Sequence, residues 1–81
     1  MMLNVRLFAT LKERTGSSQI SVELKEPATV ADLLTEVIRR YPGLEPFKQN
    51  ILVSVNWEYA DRTQSISGSD EIALFPPVSG G

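Results

Sequence analysis

The chain has 81 residues, 42% of them hydrophobic and 22% charged, with a formal net charge of −2 and a pI near 5.0. That length accommodates one domain, the composition is that of a soluble globular protein, and the lack of a Lys/Arg cluster argues against nucleic acid as a direct ligand. Cysteine and histidine are both absent, which excludes a disulfide staple, a thiolate or imidazole zinc site, and the Ser-His and Cys-His types of activated nucleophile.

Leu3, Val5 and Leu7 alternate with Asn4 and Arg6, and Ile20, Val22 and Leu24 alternate with Ser21 and Glu23. Period-two alternation predicts two half-buried strands, joined as an opening hairpin by a long loop that contains Thr15-Gly16-Ser17-Ser18. The Met1 to Ala9 segment has neither a long apolar run nor a small-residue cleavage site, so no signal peptide and no membrane span are expected, and the expected address is cytoplasmic.

Thr29 offers an N-cap, and Asp32 three residues later completes a capping-box pattern. Val30, Leu33, Leu34, Val37, Ile38 and Tyr41 then recur at helical spacing, with Asp32, Glu36, Arg39 and Arg40 on the other side. This is one amphipathic helix, stopped by Pro42-Gly43 and followed by an irregular stretch from Leu44 to Asn50.

Ile51, Val53 and Val55 predict a third strand, and Trp57 to Ala60 a short return strand. Ser67-Gly68-Ser69-Asp70 is turn chemistry, and Ile72 and Leu74 open the last strand. The expected order is β-β-α-β-β-β, a two-layer α+β domain whose helix covers one side of the sheet. From Trp57 onward Glu58, Asp61, Asp70 and Glu71 face only Arg62, which suits either a solvated acidic face or steering towards a basic partner.

Phe8 is out of phase with Leu3, Val5 and Leu7, and Phe75 with Ile72 and Leu74, so both are predicted on the sheet face opposite the helix; Leu52 is out of phase in the same way. If the first and last strands are neighbours, Phe8, Phe75 and Tyr59 form an apolar docking patch. Trp57 and Tyr41 read as packing residues, and Phe47 as a cap on the core.

Past Phe75 the chain runs Pro76-Pro77-Val78-Ser79-Gly80-Gly81. The prolines supply no amide donor and end sheet pairing, and a Gly-Gly terminus fits a channel too narrow for side chains. Terminal glycines alone also describe a frayed end or a linker remnant. An apolar strand, two prolines and two glycines within seven residues instead point to the Gly81 carboxylate as the reactive group, at the end of a reach of about 20 Å.

Several segments carry a resemblance: Val5-Arg6-Leu7-Phe8-Ala9 leading into Leu11-Lys12-Glu13 and Gly16, then Thr29-Val30-Ala31-Asp32-Leu33, Val55-Asn56, and above all the run from Ser67 through Phe75-Pro76-Pro77-Val78-Ser79-Gly80-Gly81. Over essentially its whole length the chain resembles the ubiquitin-like β-grasp sulfur carriers, most closely the small, sulfur-carrying subunits of molybdopterin synthases. The resemblance implies a β-grasp domain over residues 1–77, with a mixed sheet of four to five strands and one main helix on one face, and a flexible tail over 78–81.

It further implies that an adenylyltransferase like the ubiquitin-activating enzymes uses ATP to turn Gly81 into a glycyl adenylate, which a sulfur donor protein converts to a thiocarboxylate. The tail, Val78 to Gly81, would insert into the large catalytic subunit of a heterotetrameric synthase, with Phe75, Phe8, Tyr59, Pro76 and Pro77 at the interface. The chain would then be a non-catalytic subunit in molybdenum cofactor biosynthesis, with no permanently bound cofactor, no metal, and neither nucleic acid nor membrane as partner. The alternatives are a sulfur carrier for thiamine or tRNA thiolation, a ubiquitin-like modifier joined through Gly81 to lysines, and a plain interaction domain.

Overall fold

In the computed structural model, which describes residues 1–77, the opening alternation becomes β1 (Met2–Leu7), with Leu3, Val5 and Leu7 buried and the residues between them exposed. It pairs antiparallel with β2 (Gln19–Glu23), from Met2 opposite Glu23 to Arg6 opposite Gln19. The connection is not the plain loop expected from the sequence but a short helix, α1 (Ala9–Thr15), closed by Gly16 at φ 75°. Leu11 is its only buried residue, so α1 has no apolar repeat to announce it.

After a two-residue strand, β3 (Ala28–Thr29), the main helix α2 spans Val30–Arg40. The expected capping box is present: the Thr29 hydroxyl accepts from the Asp32 amide at 3.3 Å, and the Asp32 carboxylate accepts from the Thr29 amide at 2.9 Å. Val30, Leu33, Leu34, Val37 and Ile38 form its buried stripe. The segment expected to be irregular begins as a 3₁₀ helix over Pro42–Phe47, which buries Leu44; Tyr41 and Phe47 pack against the core as expected.

β4 (Leu52–Val55), β5 (Glu58–Ala60), β6 (Ser65–Ile66) and β7 (Ile72–Phe75) follow. Five strands form one sheet in the order β2-β1-β7-β4-β5, while β3 and β6 make a separate two-stranded ribbon. β1 and β7 run parallel at the centre and the other pairs are antiparallel, so the sheet is mixed. The α2 stripe and the inward residues of the strands, Leu3, Val5, Leu7, Val53, Val55, Ile72 and Leu74 among them, make one core on one side of the sheet. Among the described residues no helix covers the other side, the open face.

The turn before β7 is clasped to the β4–β5 hairpin. Asp70 accepts from the Ser67 amide at 2.7 Å and from the Asn56 side-chain amide at 3.0 Å, while the Asn56 side-chain oxygen accepts from the Glu71 amide at 3.0 Å. These bonds, the Ser67 amide first and Asn56 second, hold the Asp70 carboxyl below the usual carboxylate range.

Two outcomes are expected. Leu33 is fully buried, so Leu33→Ala should cost about 2 to 5 kcal/mol, read as a lowered urea midpoint with an unchanged slope. A depressed carboxyl contributes its full stabilisation above the unfolded pKa, about 4, and loses it as pH falls through the lower folded value. Asp70→Asn should therefore lower stability at neutral pH and flatten its decline in acid; parallel acid limbs for the two proteins would remove Asp70 from that role.

Candidate functional site

Parallel pairing sets Leu7 opposite Leu74 and Val5 opposite Ile72. Phe8 continues the extended backbone of β1 at φ −122°, ψ 154°, and its amide donates to the Leu74 carbonyl at 3.3 Å. Alternation therefore turns Phe8 and Phe75 onto the open face side by side. Their rings stack with centroids 4.7 Å apart and planes within 8°, an arrangement that contributes about 0.5 to 1.5 kcal/mol beyond area burial. Leu52 sits opposite Phe75 on the other side, and both are half-buried.

One row further along the strands, the register runs Gln19, Arg6, Ala73, Ser54, Tyr59 across all five strands. Ala73 and Ser54 are small and buried, whereas Tyr59 at the edge is 75% exposed. Small residues in the middle and aromatics around them leave a cleft of about 210 Å³ lined by Ser54, Trp57, Tyr59 and Phe75. The Ser54 hydroxyl is buried and has no hydrogen-bond partner among the described residues.

Trp57 corrects the sequence expectation. It was expected to pack inside, yet it is 58% exposed. The β4–β5 hairpin has a two-residue loop, Asn56-Trp57, with φ of 53° and 68°. Such turns favour Asn-Gly, because the left-handed region costs a residue with a Cβ about 1 to 2 kcal/mol. The indole is tied down from two sides: its Nε1 donates to the Glu71 carboxylate at 2.7 Å, and the Arg6 guanidinium lies 5.7 Å from the ring centroid.

Of the four acids read as either a solvated face or a steering face, three have local partners. Asp70 clasps the turn, Glu71 holds Trp57, and Asp61 caps its own loop by accepting from the Thr63 amide at 2.8 Å. The Thr63 hydroxyl, and then its amide, hold the Asp61 carboxyl below the usual range. A second groove of about 360 Å³ is lined by Arg6, Phe8, Lys12, Ser18 and Gln19, among others. The stacked pair thus contributes to both, Phe75 to the aromatic cleft and Phe8 to the cationic groove.

Of the predicted interface residues, Phe8 and Phe75 come together as a stacked pair, Tyr59 joins Phe75 around the cleft, and Pro76 and Pro77 follow β7 directly, half-buried. Val78, Ser79, Gly80 and Gly81 lie outside the described residues. Sequence reasoning missed Ser54 and Trp57 as parts of this face. For Trp57 the signal was Asn56, a residue that tolerates positive φ in a tight hairpin turn, where the side chain beside it has no core to enter. Among the described residues no helix is long and apolar enough to cross a membrane.

Comparison with known proteins agrees with this geometry. The ThiS family model matches residues 5–81. The molybdopterin synthase sulfur carrier subunit of Dictyostelium discoideum is 38% identical over 80 residues, covering 95% of this chain and 93% of that protein. Small archaeal modifier protein 1 of Haloferax volcanii is 38% identical over 84 residues, covering 94% of this chain and 97% of that one. A crystal structure of that modifier superposes with a TM-score of 0.87 at 36% identity, over 100% of both chains. With a matching family model over nearly its whole length and relatives of the same extent, the chain belongs to the ThiS family of ubiquitin-like β-grasp sulfur carriers.

Proposed function

We propose that this protein carries sulfur on the carboxyl group of Gly81 and delivers it within a molybdopterin synthase. The observation that carries the reading is the Phe8–Phe75 stack: a half-buried aromatic pair on the sheet face opposite the helix, with Phe75 directly before the Pro76-Pro77 exit. Aromatic anchors serve protein docking. Here they would seat the large synthase subunit beside the outgoing tail. The curated name of the Dictyostelium relative supports the same role.

The chemistry requires no side-chain nucleophile from this chain. A carboxylate resists nucleophiles until its oxygen becomes a leaving group, and adenylation by an activating enzyme with ATP and magnesium supplies one, releasing pyrophosphate. A donor of sulfur at the sulfide level then attacks the acyl carbon; the C–S bond forms as the C–O bond to AMP breaks. The resulting thiocarboxylate is ionised at neutral pH and is a soft nucleophile. The large subunit, holding the pterin precursor, would supply the catalytic side chains; the sulfur would bond to the precursor, and water attacking the Gly81 acyl carbon would break its C–S bond and leave the carboxylate for another cycle.

A second reading is favoured by a specific likeness, that to the Haloferax volcanii protein named a modifier. In that case the activated Gly81 would pass to a lysine as an isopeptide. Incubation with the activating enzyme, ATP and a sulfur donor, followed by intact-mass analysis, separates the two. A carrier gains the mass difference between sulfur and oxygen at its C-terminus, whereas a modifier appears attached to lysines. Subsequent addition of the large subunit and the pterin precursor should return the mass to its starting value.

Deletion of Gly81 is expected to abolish sulfur loading while leaving the unfolding midpoint unchanged. Equal loading of the truncated chain would overturn the assignment. Phe75→Ala should weaken binding of the large subunit by about 1 to 3 kcal/mol with the fold retained, measured by calorimetric titration.

A further inference from the structure

We infer that the cleft walled by Trp57, Tyr59 and Phe75 receives one neutral side chain of the large synthase subunit, with an apolar body and a hydrogen-bonding tip, and that Trp57 selects for it. The inference rests on the docking reading of the open face and adds to it a defined pocket and the chemistry of its occupant.

Size comes first. At about 210 Å³ the cleft is smaller than the roughly 300 to 1,000 Å³ typical of small-molecule sites, so one inserted side chain suits it better than a free ligand. It also shares Phe75 with the aromatic stack, so an anchor placed in it continues the same docking patch. The occupant would be a neighbour of whatever covers Phe8.

Polarity comes second. Three aromatic residues favour an apolar body, but Ser54, which also lines the cleft, is 5% exposed and buries beneath it a hydroxyl with no hydrogen-bond partner among the described residues. A buried hydroxyl left unpaired is a standing cost that a partner group can remove. A charged tip would lose its hydration there for a single hydroxyl contact, which excludes it. Tyr59, directly opposite Ser54 across the β4–β5 pair and largely exposed, is the wall with room to move aside and open the hydroxyl to that tip.

Trp57 supplies selection. A bulky residue at positive φ in a two-residue hairpin loop is a poor choice for the fold, since glycine would occupy the position without strain. Its ring is nonetheless fixed at the edge by Glu71 and on the face by Arg6. Strain that is kept and braced in this way marks a side chain held for contact rather than for packing. The two charges nearest the ring are opposite in sign and both engage it, which keeps this end of the pocket close to neutral.

The test measures stability and affinity on the same variants, by thermal unfolding and by calorimetric titration against the large synthase subunit from the same source. Ser54→Ala removes the unpaired hydroxyl, so its unfolding midpoint should equal or exceed that of the wild type while its affinity falls roughly five- to ten-fold. Trp57→Gly suits the turn, so the fold should persist, judged by its amide NMR spectrum, while affinity falls roughly ten- to hundred-fold. Opposite signs for stability and binding are what a merely structural role would not produce.

Wild-type affinity in both variants, alongside weakened binding by Phe75→Ala, would keep the docking face and overturn the pocket. A Ser54→Ala protein that loses stability and affinity together would overturn it as well, by making the hydroxyl a structural group. If the wild-type chain fails to bind the large subunit at all, the docking reading itself falls, and the pocket with it.

Discussion

Because β1 and β7 pair in parallel at the centre of the sheet, Leu7 lies opposite Leu74, and the next residue of each strand, Phe8 and Phe75, falls beside the other on the face that α2 leaves open. The two strands come from opposite ends of the sequence, so the pairing closes nearly the whole chain into one loop, at an entropic cost that grows only slowly with length. The core side of the same pairing repays it: Leu3, Val5, Leu7, Ile72 and Leu74 are all buried against the helix stripe. The aromatic pair is therefore a by-product of the contact that completes the fold. A chain that has not yet placed β7 has no aromatic stack.

The sequence showed best what depends on local rules. The capping box of Thr29 and Asp32, the stripe from Val30 to Ile38 and the alternation of β1, β2 and β7 appear where pattern and cap chemistry put them. What escaped was short or single-contact structure. α1 buries only Leu11, and β3 and β6 are two residues each, so none carries enough period to register. Phe8 and Phe75 were legible as out-of-phase residues, but their meeting depended on which strands are neighbours, a tertiary fact.

Ser54 and Trp57 were missed for different reasons. A serine in an alternating strand reads as solvent-facing, and Ser54 does point to the open face; it is buried in a cleft that Trp57, Tyr59 and Phe75 also line. Trp57 was misread because tryptophan is usually inside, a tendency that presupposes a backbone able to turn it inward. At φ 68° in the hairpin loop the backbone instead presents it to the open face, and the bonds to Glu71 and Arg6 hold it there. Turn geometry outranked side-chain preference.

The division of labour in this molecule follows from where its polar groups lie. Among the described residues the core holds one buried polar side chain, Ser54, and it faces the cleft rather than the helix. An interior so apolar gives a stiff body, since close packing leaves little room for alternative arrangements. Stiffness would serve the proposed role: a docking face that is already ordered costs less conformational entropy when a partner covers it. Pro76 and Pro77 extend that economy past the sheet by fixing φ at the two positions where the chain leaves it. Under the proposed function, a reactive group carried on the backbone beyond them would need no help from neighbouring side chains, which would leave the exposed aromatics of the domain for choosing partners.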